Sequence, residues 1–330
     1  MIGRRKLLIA IGLGLLAAPL ASFAQQPGKL WRIGFLYFGS RQSAMDSGRY
    51  GLFLEGMRDL GYVEGRNFVL EARFADGKTE RLPGLSAELR QSKVDVIVAT
   101  GVPVYAALKK SASTIPVVVT VGADPVGEGF AASLSRPGGH FTGLSTGNVE
   151  LYPKQIELLG AAVPQLSHVA VLWNPANPAH PARLAAMQAI AGKAGIRTLP
   201  VATPSADEIE RGFALVSREG AKALFVLNDT FFAQQFRQIA ALALKHRLPS
   251  IYGAVEYAES GGLMGYGQNI LDNFRRAATF VDKILKGAKP GDLPFEQPMR
   301  LQLVINRKTA NAIGLAIPQE LLLRADRVIE

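Results

Sequence analysis

The sequence predicts an α/β protein of two doubly wound parallel-sheet lobes joined by a multi-strand hinge, behind a cleaved export leader. Three observations predict it. The 330 residues exceed the size, about 250–300 residues, at which one core usually stops growing. Short β-rich runs alternate with amphipathic helical stretches, as in a parallel sheet covered on both faces. The alternation restarts after Gly143, so two series of similar length follow each other.

In the first series, residues 31–38 read as an apolar strand and 46–60 as a helix closed by Gly61. Residues 67–74 read as strand, 80–91 as helix, 94–99 as a strand buried on both faces, 102–110 as helix and 115–121 as strand. The second series predicts helix over 151–162, strand over 168–173, helix over 182–194, strand over 197–201 and helix over 206–218. Strand over 223–227, helix over 232–246 and a short strand over 250–252 complete it. Helix 273–286 ends at Gly287, a turn-rich linker covers 289–294, and a strand at 301–305 precedes a helix at 308–313. A helix and then a strand after the second series imply that the chain crosses between lobes more than once, which makes a hinge. The first lobe is expected over 29–147 plus about 271–300, the second over 148–270 plus about 301–330.

Residues 1–24 are of another kind. Arg4, Arg5 and Lys6 precede an uncharged apolar run to Leu20, and Ser22-Phe23-Ala24 offers small residues at the peptidase positions, so cleavage before Gln25 is expected. The run is shorter than the roughly 18 residues of a permanent membrane anchor, and Gly12, Gly14 and Pro19 weaken it as one. Arg4-Arg5 resembles a twin-arginine signal, although paired arginines also occur in ordinary leaders, and the route stays open. The absence of cysteine excludes disulfides, thiolate metal sites, a catalytic cysteine and a lipid-anchored cleavage product. A periplasmic location is therefore expected. The net charge of +10 is spread, with no basic block longer than a dipeptide after the leader, so a cationic surface is expected and no nucleic-acid partner.

Ligands of open parallel sheets bind beyond the carboxyl ends of the strands. The residues expected there are Gly39, Ser40 and Arg41; Thr100 and Gly101; Gly122, Ala123 and Asp124; Asn174; Asn228 and Asp229; and Tyr252 with Gly253. Thr100-Gly101 at a helix start would suit a carboxylate. Asp124 or Asp229 would accept from an ammonium, and Tyr252 or, more weakly, Tyr257 would wall an apolar body. Ser40, Thr100, Asn174, Asn228 and Asp124 have an alternative use as helix caps or turns. Replacing Thr100 and Asp229 together by alanine is expected to weaken binding at little cost in stability.

Gly143-Leu144-Ser145-Thr146-Gly147 matches the nucleophile elbow of hydrolases, with Asp229 and His246 following in order. A Pro-Gly-Gly turn upstream and a helix that begins only near Leu151 argue against that use of Ser145. The four histidines show no metal-binding spacing, and no P-loop or dinucleotide fingerprint occurs, so neither metal, cofactor nor enzymatic activity is expected.

An ordered set of short segments carries a resemblance. Leu60-Gly61-Tyr62-Val63-Glu64-Gly65-Arg66-Asn67, Val94-Asp95-Val96-Ile97-Val98-Ala99 and Gly122-Ala123-Asp124-Pro125-Val126-Gly127 open it. Ser135-Arg136-Pro137-Gly138-Gly139, Thr142-Gly143-Leu144-Ser145 and Val169-Ala170-Val171-Leu172-Trp173-Asn174-Pro175 follow. Lys245-His246-Arg247-Leu248-Pro249, Gly261-Gly262-Leu263-Met264 and Leu303-Val304-Ile305-Asn306 complete it. Together they resemble the ABC transporter substrate-binding family associated with tryptophan and tyrosine uptake. The resemblance implies a type I periplasmic-binding-protein fold, whose lobes close on a small molecule, of the amino-acid or aromatic class, in the cleft between them. It implies an ABC permease in the inner membrane as partner, and a monomer is expected. A ligand-presenting partner of a membrane sensor would use the same cleft.

Overall fold

The computed structural model describes residues 29–111, 113–121, 124–146, 149–297 and 300–330. The expected leader and Gly122, Ala123 and Gly147 lie outside them. No helix among the described residues is long and apolar enough to cross a membrane.

The first sheet is built from β1 (Trp31–Tyr37), β2 (Phe68–Phe74), β3 (Val96–Thr100), β4 (Val117–Val119) and β5 (Phe141–Gly143), all parallel, in the order β2-β1-β3-β4-β5. The connections carry α1 (Arg41–Asp46), α2 (Arg49–Asp59), α3 (Leu82–Gln91) and α4 (Val102–Lys110). Alternation along β1 divides its side chains between two cores. Ile33, Phe35 and Tyr37 face α2, and Leu36 packs with Leu85 and Leu89 of α3 and Tyr105 of α4.

The chain then enters the second lobe through α5 (Tyr152–Ala162) and builds β6 (His168–Trp173), α6 (His180–Lys193), β7 (Arg197–Ala202), α7 (Ala206–Glu219) and β8 (Ala223–Val226). There follow α8 (Thr230–Gln234), α9 (Phe236–Lys245), β9 (Ser250–Ala254), α10 (Glu256–Glu259) and β10 (Met264–Gln268). Its parallel strands stand as β7-β6-β8-β9-β10, the same winding as in the first sheet.

Helix α11 (Ile270–Leu285) returns to the first lobe, where Phe274, Ala277, Ala278, Val281 and Leu285 bury their helical stripe against the β1 core. A last crossing brings β11 (Gln302–Asn306), α12 (Arg307–Ile313), α13 (Gln319–Leu323) and β12 (Arg327–Ile329) to the second sheet, where β11 pairs antiparallel with β10 and β12 parallel with β11. Three crossings therefore join the lobes, after Thr146, at Gln268–Ile270 and after Gln297.

Several elements differ from the sequence expectation. The helix expected over 46–60 is two helices, parted where Gly48 takes φ +73°. The helix expected over 232–246 begins at Thr230 and breaks at Gln235. Strands β5, β10 and β12 were not expected. In β10, a side chain on Gly265 or Gly267 would place Cβ 2.4 Å and 2.0 Å from backbone oxygens of Ala254 and Gly253, so this strand is glycine-bearing and lacks the usual β-rich composition.

Candidate functional site

The carboxyl ends of both sheets face each other, and between them lies a partly open cavity. In both lobes it lies at the topological switch point, where adjacent strands send their chains to opposite faces. The lobes touch around it. A Cβ on Gly101, which has φ +102°, would stand 2.7 Å from Thr230 Oγ1, and one on Gly39 would stand 2.6 Å from Gln234 Cδ. Phe231 and Ala179 of the second lobe pack onto the core of the first.

From the second lobe, Asn228, Asp229 and Tyr252 line the cavity, as does Thr100 from the first. Asp229 caps α8, its Oδ1 accepting from the backbone N–H groups of Phe231 and Phe232 at 2.9 and 3.2 Å and from Asn174 Nδ2 at 3.3 Å. Its Oδ2 accepts from Asn177 Nδ2 at 2.7 Å and keeps acceptor capacity. The Tyr252 hydroxyl accepts from Asp229 N at 3.0 Å and donates to Asp229 O at 3.2 Å, while burial pushes its pKa up. His180 lies behind. Its Nδ1 accepts from Asn174 N at 2.8 Å, so Nε2 carries the proton toward Asn228 O at 3.1 Å. Nε2 is 3.7 Å from Asp229 Oδ2, but burial lowers the His180 pKa, and the acceptor role of Nδ1 requires the neutral ring.

Thr100 shares a 2.9 Å hydrogen bond with Thr120 and is buried. Asn174 stands one step back from the cavity, its Oδ1 accepting from Ala176 N and its amide holding Asp229. Gly101 caps α4 at the point of closest approach to Thr230. Ser40 is the N-cap of α1, accepting from Ser43 N at 3.1 Å, and does not line the cavity. Asp124 is exposed and folds its own turn, Oδ1 accepting from Gly127 N at 3.0 Å. Tyr257 is a core residue whose hydroxyl donates to Ser250. The hydrolase grouping is not assembled around His246, whose Nδ1 is bonded to Ser217 at 2.7 Å while Asp229 is engaged by two asparagines.

The cavity also contains residues that the sequence reading missed. Arg49, at the start of α2, is 6% exposed and enters from the first lobe. Its Nη1 donates to the Tyr37 hydroxyl at 2.8 Å. It lies within electrostatic reach of Glu256, whose carboxyl is held above the ordinary range by burial, with the Arg49 field opposing that shift. Asn177, Thr146 and Thr230 add polar groups, and Val102, Val121, Leu151, Ala233 and Ile270 make the apolar wall. Arg49 was hidden because its placement depends on the break at Gly48: within one unbroken helix it reads as a surface position.

Among the described residues, neither Arg49 nor Asp229 forms an ion pair with a permanently charged side chain. Among the described residues the cleft thus brings together a guanidinium from one lobe and a carboxyl group from the other, neither of them in a direct ion pair with an oppositely charged Lys, Arg, Asp or Glu side chain.

Residues 40–329 match the sequence profile of a family described as ABC transporter substrate binding protein. A tyrosine-binding protein of Clostridioides difficile (strain R20291) is 22% identical over 273 residues, covering 82% of this chain and 78% of that protein. The crystal structure of an ABC domain from Streptococcus pneumonia in complex with L-Trp superposes with a TM-score of 0.83 at 26% identity, covering 91% of this chain and 100% of that one. A conserved domain protein of Vibrio cholerae O1 biovar El Tor superposes with a TM-score of 0.84 at 25% identity over the same shares.

Proposed function

Because the chain belongs to the ABC transporter substrate-binding protein family, whose members bind solutes and are not enzymes, we propose that it is the exported, periplasmic component of an importer. It binds an amino acid between its lobes as a monomer and presents the closed form to a permease in the inner membrane. The observation that carries the choice of ligand is the pair of unmatched charges. Arg49 has a neutral hydroxyl as its hydrogen-bond partner, and Asp229 keeps an acceptor site on Oδ2 beside a neutral histidine. A buried charge without a partner costs several kcal/mol. A zwitterion relieves both, its carboxylate at Arg49 and its ammonium at Asp229, and does so best when the lobes are together. The tyrosine- and L-Trp-binding relatives support the same class of ligand.

Calorimetric titration of residues 25–330 with the L-amino acids, L-tryptophan and L-tyrosine first, tests the proposal. One or a few amino acids are expected to bind, and the matching decarboxylated amine to bind less tightly by about 2–5 kcal/mol, as is Arg49→Met with the intact amino acid. Equal affinity for amine and amino acid, or undiminished binding by Arg49→Met, would overturn the assignment.

A further inference from the structure

One polar contact between the lobes lies away from the ligand cavity. Glu128 belongs to the first lobe, in the loop between β4 and β5, and Arg183 to the first turn of α6 in the second. Arg183 Nη2 donates to Glu128 Oε1 at 2.5 Å, with 5% and 13% of the two side chains exposed. Neither lines the cavity. Arg183 Nη1 also reaches the carbonyl of Asn228 at 3.4 Å, and Asn228 does line it. The loop is pre-shaped to carry Glu128, since Asp124 accepts from Gly127 N through its side chain and from Glu128 N through its carbonyl. The remaining oxygen, Glu128 Oε2, is buried without a hydrogen-bond partner.

We propose that the Glu128–Arg183 pair is an interlobe latch, a positioning pair that sets the closed population and through it the apparent affinity of the cleft. Closing brings both groups out of water, and the Glu128 carboxylate then depends on the Arg183 guanidinium. Without Arg183, closure buries an unpaired carboxylate, which opposes it strongly. Burial already holds the Glu128 carboxyl above its ordinary range despite the neighbouring guanidinium. Apparent affinity scales with the fraction of protein able to close, so a group that touches no ligand still alters binding. The latch rests on the reading that the cleft closes, and it is tested without ligand so that the two stand or fall separately.

The chain contains no cysteine, so Arg41→Cys with Gln234→Cys supplies two unique thiols beside the Gly39–Gln234 contact. The rate at which a short bis-maleimide joins them in ligand-free protein measures the closed population, even when that population is small. Arg183→Met in this background is expected to slow trapping roughly ten-fold, within the 5–150-fold span of typical coupling energies. Glu128→Gln is expected to slow it about five-fold. The double variant is expected to be no slower than Arg183→Met, because removing the second partner relieves the buried charge. Circular dichroism and the melting midpoint establish folding, and if Arg183→Met does not fold, Glu128→Gln alone carries the test. Trapping at the parental rate in each folded single variant, or single effects that simply multiply in the double, would overturn the latch.

Discussion

Asp229 shows how one side chain can belong both to the cleft and to the fold. The sequence reading expected that alanine at Thr100 and Asp229 would leave stability nearly untouched. The structure gives Thr100 a buried hydrogen bond to Thr120 and makes Asp229 the cap of α8, a role worth about 1 kcal/mol. Asp229→Asn is therefore the cleaner probe of charge. His180, wedged behind it, adds a pH dependence whose sign follows from its lowered pKa. The unfolded chain binds a proton near pH 6.5 and the folded chain only below that, so stability is lost as pH falls through and below 6.5. The loss approaches about 1.4 kcal/mol per pH unit between the two pKa values, and half-buried His140 adds the same sign. Melting midpoints between pH 7.5 and 5.5 are expected to fall less steeply in His180→Asn than in the parent; identical slopes would remove His180 from the account. That Thr100, Asn228, Asp229 and Tyr252 line the cavity was legible because they stand at strand ends; that they meet a ligand is the proposal. Arg49 and Asn177 were not, since no strand end marks them.

The elements were legible where burial is two-sided. Val96–Thr100 and Ala223–Val226 read as strands because every residue is covered, leaving unbroken apolar runs. Strand β10 was illegible for the opposite reason, because its glycines are set by how closely the neighbouring backbone approaches. The same close approach governs the helix pair on the first lobe. A Cβ on Gly56 of α2 would stand 2.5 Å from Arg275 O and 2.9 Å from Ala278 Cβ of α11. Gly56→Ala must push α11 outward, and overpacking of this kind costs about 1–3 kcal/mol. The expected result is a lower urea midpoint, with ligand affinity changed little because Gly56 is not among the residues that line the cavity. An unchanged midpoint would mean that the two helices part freely.

At the scale of the whole molecule, the two lobes repeat one strand order, and each supplies one charge-bearing side chain, Arg49 or Asp229, to the cavity between them. On the proposed reading, that division makes closure and binding one event. A ligand shifts an equilibrium only by its difference in affinity for the two states. On that reading Asp229 and its asparagines, all of the second lobe, stay together when the lobes part, whereas Arg49 meets the ligand only when the first lobe swings over. An amine without a carboxylate therefore has its main contact available in either state and gives little drive to close. The full amino acid gains Arg49 only in the closed state. Small-angle scattering is expected to show compaction when the amino acid identified by titration saturates the protein. It is expected to show little or none when the matching amine saturates it at higher concentration, and little when the amino acid saturates Arg49→Met. Equal compaction by amine and amino acid would mean that Asp229 and the apolar wall close the lobes by themselves, and that Arg49 serves the architecture of the first lobe through Tyr37 instead of the ligand.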